Sequence, residues 1–138
     1  MTTKQILRQI PANANTHEVL SFIHNRKFNA RYFSYIKALT NLSDEKISNF
    51  LNISVKTYRN YQTSNFDLGK GKQEHAIMIL GLIKHGIEVF GSGHNFTEWL
   101  EKENFYFDNK PPINYLNYMN GIKFIDDSLI GMEYGDNA

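Results

Sequence analysis

Residues 76–90 would put an apolar side chain on nearly every face of a helix, and the rest of the chain must be arranged to hide it. Ile77, Met78, Ile79, Leu80, Leu82, Ile83, Ile87, Val89 and Phe90 crowd that stretch, and a helix of this kind needs cover on several sides. Lys84, His85, Gly86 and Glu88 interrupt a run of only 15 residues, too short and too polar to cross a bilayer. It reads as a buried central helix. In a chain of 138 residues, part of its cover is expected from a second copy of the protein. That length suits one domain, or two very small ones sharing a core.

The covering elements also read as helices. Prolines stand only at 11, 111 and 112, which leaves almost the whole interior free of helix breakers. Val19, Leu20 and Ile23 give a stripe to a helix over residues 18–25, with Thr16 as its cap. Tyr32, Phe33, Ile36 and Leu39 recur at helical spacing in residues 30–39. Two-residue alternation is sustained nowhere, so the predicted class is all-α. Hydrophobic content of 41% and aromatic content of 14% argue for a folded chain rather than a disordered one.

Charge divides the sequence in two. Residues 1–75 hold 11 Lys/Arg against 5 Asp/Glu, and residues 76–138 hold 4 against 9, so balances of +6 and −5 lie inside a total of +1. A basic body and an acidic tail point to two different partners, one of them a polyanion. With no cysteine, disulfide scaffolds, thiolate metal sites and thiol nucleophiles are excluded together, which fits a reducing compartment. The start, Met1-Thr2-Thr3-Lys4-Gln5, leads into a polar stretch without the apolar core of a signal peptide. A cytoplasmic protein with no membrane partner is the expectation.

Residues 42–61 carry the first specific motif. Ser43 can cap a helix, with Lys46 where the reciprocal Glu of a capping box would stand. Ile47, Phe50 and Leu51 face inward. Asn52 then falls at a sharp turn, and asparagine is the non-glycine residue that best tolerates a left-handed backbone. Ile53 plugs the turn, Ser54 caps a second helix, and Tyr58 and Tyr61 form its buried seam. The pattern is that of a helix-turn-helix and resembles the Xre/Cro class, whose members usually carry Ala in place of Ser48 and Gly in place of Asn52.

On the second helix the outward residues are Ser54, Val55, Lys56, Thr57, Arg59 and Asn60. Arg takes guanine bidentately, Asn takes adenine, Val or Thr touches a thymine methyl, and Lys and Ser hold phosphates. This face reads as a DNA-binding surface within a domain over residues 1–75. One copy of the motif reaches one half-site, so a homodimer on two-fold operator DNA is expected.

Nothing in the chain reads as a catalyst. The histidines at 17, 24, 75, 85 and 94 have no metal-ligand spacing. The adjacent pairs Glu74-His75 and Asp126-Asp127 point in different directions on a helix and read as solvated surface. Ser43, Ser48 and Ser54 have capping or packing duties. Residues 67–72 lack the glycine spacing and the hydroxyl of a phosphate loop, and are expected to be a flexible basic connector. No enzyme and no cofactor are expected.

The acidic third is punctuated in a fixed order. Phe90-Gly91 ends the central helix. Phe96, Trp99 and Leu100 follow on a helix with Glu98, Glu101 and Glu103. Then come Lys110-Pro111-Pro112, Ile113, Tyr115-Leu116, Gly121, Ile125, Leu129 and Met132-Glu133-Tyr134-Gly135. This order resembles the toxin-binding domain of Xre/MbcA/ParS-type antitoxins over roughly residues 85–135. Those proteins read Val-Phe-Gly, Trp-Leu, a Pro opening a helix with a Leu pair, a Gly, and a final Tyr-Gly. Tyr115 replaces one of the usual leucines, and Asn117 and Tyr118 stand where small or polar residues are common.

The resemblance implies an all-α protein with an Xre/Cro-like bundle over residues 1–75 and a small helical dimerisation and toxin-binding domain over 76–138. It implies an antitoxin that represses its own operon and neutralises a cognate RES-domain toxin, a class that consumes NAD⁺. The toxin-binding residues would be Trp99, Ile130, Glu133, Tyr134, Gly135 and Asp136. The last four would lie nearest the toxin's pocket, since a site for a dinucleotide's phosphates is cationic and an acidic, aromatic segment suits it electrostatically. Trp99 also reads as a packing anchor. The alternative is a stand-alone dimeric regulator whose C-terminal part senses a ligand or only dimerises.

Overall fold

A computed structural model describes residues 2–11, 16–25, 31–63 and 69–135, and among these the protein is all-α. In chain order the helices are α1 (Thr3–Gln9), α2 (Thr16–Asn25), α3 (Arg31–Thr40), α4 (Asp44–Phe50), α5 (Val55–Thr63), α6 (Lys70–Phe90), α7 (Gly93–Glu101) and α8 (Met119–Glu133). Short 3-10 turns at Phe105–Phe107 and Pro112–Tyr115 join the last two. Strand-like pairing among the described residues is confined to an isolated bridge between Asn104 and Lys110.

The apolar stretch forms the axis of the molecule, but α6 is longer than its pattern predicts, at 21 residues. Residues 75–83 are buried without a break, and α2, α3, α7 and α8 all pack around them. Fully burying an Ile or Leu contributes about 1.5–3 kcal/mol, so Ile77, Ile79, Leu80 and Leu82 anchor the fold. Four helices of the same chain cover residues 75–83, while Ile87, Val89 and Phe90 near the end of α6 are only partly buried. One continuous core runs from Ile6 to Leu129, and the boundary between residues 75 and 76 falls inside α6.

The basic connector expected over residues 67–72 is also corrected. Gly69, at φ 83°, turns the chain into α6, and Lys70, Gly71 and Lys72 are its first residues; Asp67 and Leu68 lie outside the described residues. Lys72 Nζ donates to the carbonyls of Leu51 and Asn52, both at 3.1 Å. A cation there satisfies the orphan carbonyls at the end of α4 and opposes its dipole.

α1 has no counterpart in the sequence reading, although its signal is present. Thr2 Oγ1 accepts the Gln5 N–H at 3.2 Å and Gln5 Oε1 accepts the Thr2 N–H at 2.8 Å, a reciprocal capping box. Further on, α6 stops at Gly91, whose φ of 88° suits a left-handed cap and whose N–H reaches the Ile87 carbonyl at 2.7 Å. Ser92 then caps α7 through the Asn95 N–H at 3.1 Å, and the two helices meet at 104°. Pro112 opens a 3-10 turn where the family pattern has a helix. α8 begins only at Met119, because the chain folds back to lay Gly121 against the Tyr115 carbonyl. No single helix among the described residues is long and apolar enough to cross a membrane.

Candidate nucleic-acid interface and C-terminal surface

The two helices of the predicted motif are built as their residues dictate. Ser43 Oγ accepts the Lys46 N–H at 3.2 Å and starts α4. Ser48, buried, donates its hydroxyl to the Glu45 carbonyl at 3.0 Å, so its polar atom is satisfied inside the pair. Asn52 takes the left-handed conformation at φ 59°, and the Ile53 N–H returns to the Ser48 carbonyl at 3.1 Å. Ser54 Oγ then accepts the Thr57 N–H at 3.0 Å and starts α5. Tyr58 and Tyr61 are buried against Phe33 of α3, one edge-on at 6.5 Å and one stacked at 6.2 Å between ring centres.

The outward face is less uniformly basic than the +6 balance implies. Lys56 is exposed, and no hydrogen bond or ion pair joins it to the described residues. Arg59 is exposed too, but its Nε lies 3.1 Å from Asp44 Oδ2 and a terminal nitrogen 3.5 Å from Glu45 Oε1. Asp44 also accepts Lys37 Nζ at 2.7 Å. The hydrogen bond from Lys37, then that from Arg59, holds the Asp44 carboxyl below its ordinary 3.8. Such exposed pairs are weak, so a phosphate or a base edge can replace the carboxylates at Arg59. Ser54 and Thr57 hydrogen-bond each other at 2.8 Å, Val55 is half-buried, and Asn60 is exposed.

The turn is fastened to the second half of the chain. Asn52 Nδ2 donates to the Asn117 carbonyl at 3.0 Å, and Lys46 of α4 pairs with Glu101 at the end of α7. His75, buried on α6, donates from Nε2 to the Leu116 carbonyl at 2.8 Å. Burial is the main reason its pKa lies below the ordinary 6.5, the Leu116 bond opposing it.

Of the residues assigned to the C-terminal surface, Tyr134 is 84% exposed and Gly135 is exposed beside it, at φ 87°. Ile130, one turn back on α8, is exposed as well. Glu133 has a second duty: it pairs with Nε2 of His85, while Asp126 Oδ1 sits 2.5 Å from the other ring nitrogen. Trp99 is half-buried, stacked on Phe96 at 6.1 Å and edge-on to Phe107 at 5.8 Å, which makes it a packing residue. Asp136 lies outside the described residues.

The reading of Asp126-Asp127 and Glu74-His75 as solvated pairs is corrected, because Asp126 and His75 are both buried. The carboxylates of Asp126 and Glu133 occupy opposite nitrogens of one ring and do not converge. Among the described residues no cluster of His, Cys, Asp or Glu could hold a metal ion. No protein-family model and no curated protein matches this chain in sequence.

Proposed function

We propose that the chain is an antitoxin of the Xre/MbcA/ParS type. In this reading it acts as a cytoplasmic homodimer that represses its own operon through α4 and α5, and it neutralises a RES-domain, NAD-consuming toxin with its C-terminal surface. It works by binding, without catalysis or a cofactor. The observation that carries the reading is the pair of serine-capped helices about left-handed Asn52, with Lys56, Arg59 and Asn60 exposed on the second. Buried tyrosines beneath and polar, cationic groups above are what a recognition helix needs. The toxin-facing half is supported by the ordered residues Phe90-Gly91, Trp99-Leu100, Pro112, Gly121 and Tyr134-Gly135, the last two exposed at the end of α8.

The first test is the double change Lys56→Ala, Arg59→Ala, read by binding to the DNA upstream of the protein's own gene. Binding should be abolished at moderate salt. At low salt the slope of log K against log[salt] should drop by about two, with thermal unfolding unchanged because both side chains are exposed. Unaltered operator affinity would remove the DNA assignment. The toxin arm is tested by Tyr134→Ala rather than by truncation. Deleting residues 130–138 would also strip Met132 from the core and Glu133 from His85. An exposed aromatic anchor commonly carries 2 kcal/mol or more of binding, so Tyr134→Ala is expected to weaken toxin binding about 30-fold. Loss of protection should accompany it while DNA binding stays intact. If toxin neutralisation survives, the inhibitory surface lies elsewhere; if no toxin is bound at all, the chain is a stand-alone regulator.

A further inference from the structure

We infer that the segment leading into α8, residues 114–123, makes a second contact to the DNA backbone beside the helix-turn-helix. This rests on the DNA-binding reading above and extends it into the acidic half of the chain. Position comes first. Asn52 is the turn residue just ahead of the cap of α5, and its amide donates to the Asn117 carbonyl. Tyr118, one Cα step of about 3.8 Å further on, is 62% exposed. It therefore stands beside the start of the recognition helix.

The placement is rigid. The Leu116 carbonyl accepts from His75 and the next carbonyl from Asn52, while Lys72 of α6 holds the carbonyls of Leu51 and Asn52. Turn, segment and central helix are thus tied through four carbonyl acceptors, at residues 51, 52, 116 and 117. On the other side, Asn114 lines one cleft with Lys46 and Asn49 of α4, the helix that in such motifs crosses the DNA backbone.

Charge selects the partner. The acids of the C-terminal half stop at Asp108 and resume at Asp126; residues 109–125 carry Lys110, Lys123 and four asparagines without one carboxylate. This acid-free window meets the helix-turn-helix through Asn114 and Asn117, beside Glu101 of α7, whose charge is taken up by Lys46. Tyr118, Asn120 and Lys123 are exposed in it, and a tyrosine hydroxyl, an asparagine amide and an ammonium are groups that hold phosphate oxygens without reading sequence. At about 1.5 Å per residue, Glu133 lies roughly 20 Å along α8 from Met119. The acidic end is carried away from the duplex and left for another partner.

The test compares Tyr118→Phe, Lys123→Gln and the double change Lys56→Ala, Arg59→Ala. Each binds the upstream DNA and a random-sequence duplex of equal length across a salt series. Lys123→Gln should lower the salt slope by about one on both duplexes. Tyr118→Phe should weaken both roughly three- to tenfold, the value of one hydrogen bond, at unchanged slope and unchanged melting temperature. If both bind like the parent while the Lys56/Arg59 variant does not, this second contact does not exist and the helix-turn-helix assignment stands. If the Lys56/Arg59 variant also binds like the parent, the DNA reading fails and this inference falls with it. Loss of toxin binding alone in Tyr118→Phe would reassign the segment to a protein partner and overturn the proposal.

Discussion

Replacing His85 with leucine is expected to lower the free energy of unfolding by about 3–5 kcal/mol, the usual result of deleting one partner from a buried ion pair. His85 is 2% exposed and lies between Asp126, itself buried, and the half-exposed Glu133. Burial is the largest influence on the ring and opposes its charge. The hydrogen bonds of Asp126 and Glu133, with their charges, outweigh that influence and raise the pKa above the ordinary 6.5. Leucine fills similar space but leaves the Asp126 carboxylate buried without its counter-charge. Glu133 can turn to water, so most of the cost falls on Asp126.

The raised pKa gives the clasp a pH signature. A group that binds its proton more tightly when folded stabilises the fold fully below its unfolded pKa, and that stabilisation fades as pH climbs through the folded value. Urea unfolding of the parent should therefore show stability lost as pH rises above 6.5, a loss absent from His85→Leu. The double change His85→Leu, Asp126→Leu should recover most of the deficit, since an apolar replacement of both partners is often neutral. A His85→Leu deficit below about 1 kcal/mol, the scale of an exposed pair, would mean that the imidazolium is not held between two carboxylates. Because Glu133 precedes Tyr134, the clasp also sets where the end of α8 presents its exposed aromatic.

The α4–turn–α5 pair was legible because its signals are local. Ser43, Asn52 and Ser54 act on backbone groups within three or four residues of themselves, a range over which side-chain chemistry decides conformation. The central helix was legible from composition, but its start was not. Lys70 and Lys72 read as a connector because the carbonyls that hold Lys72 belong to residues 51 and 52, far off in the chain. The same distance hid the clasp, since His85 and Asp126 are 41 residues apart. A hint was nonetheless present: Asp126 falls on the face of α8 marked by Ile122, Ile125 and Leu129, where a carboxylate needs a buried partner. Arg59 shows the opposite lesson. Its exposure follows from the helical pattern, but Asp44 and Glu45 reach it only because α4 packs against α5.

Gly121→Ala is the second change with a large expected effect, and helix propensity alone predicts its sign wrongly. In an exposed helix interior, Ala in place of Gly would stabilise by about 1 kcal/mol. Gly121, however, is buried in the first turn of α8. A Cβ there would overlap the Tyr115 carbonyl oxygen and lie 2.8 Å from its carbon. A side chain in that position could rotate aside; a backbone carbonyl cannot without moving the turn at Pro112–Tyr115. That turn is itself pinned, since Tyr115 donates its hydroxyl to the Phe107 carbonyl at 3.1 Å and packs its ring 5.6 Å from that of Phe107. The strain has nowhere cheap to go, and a net loss of about 3 kcal/mol is expected in chemical unfolding, at the upper end of overpacking. In the molecules that remain folded, lifting α8 from the turn should pull Asn117 from Asn52 and, on the proposed function, weaken binding to the upstream DNA without touching Lys56 or Arg59. Unfolding as resistant as the parent's, or more so, would show that α8 does not rest on Tyr115, and the rigid seat argued for Tyr118 and Lys123 would be lost as well.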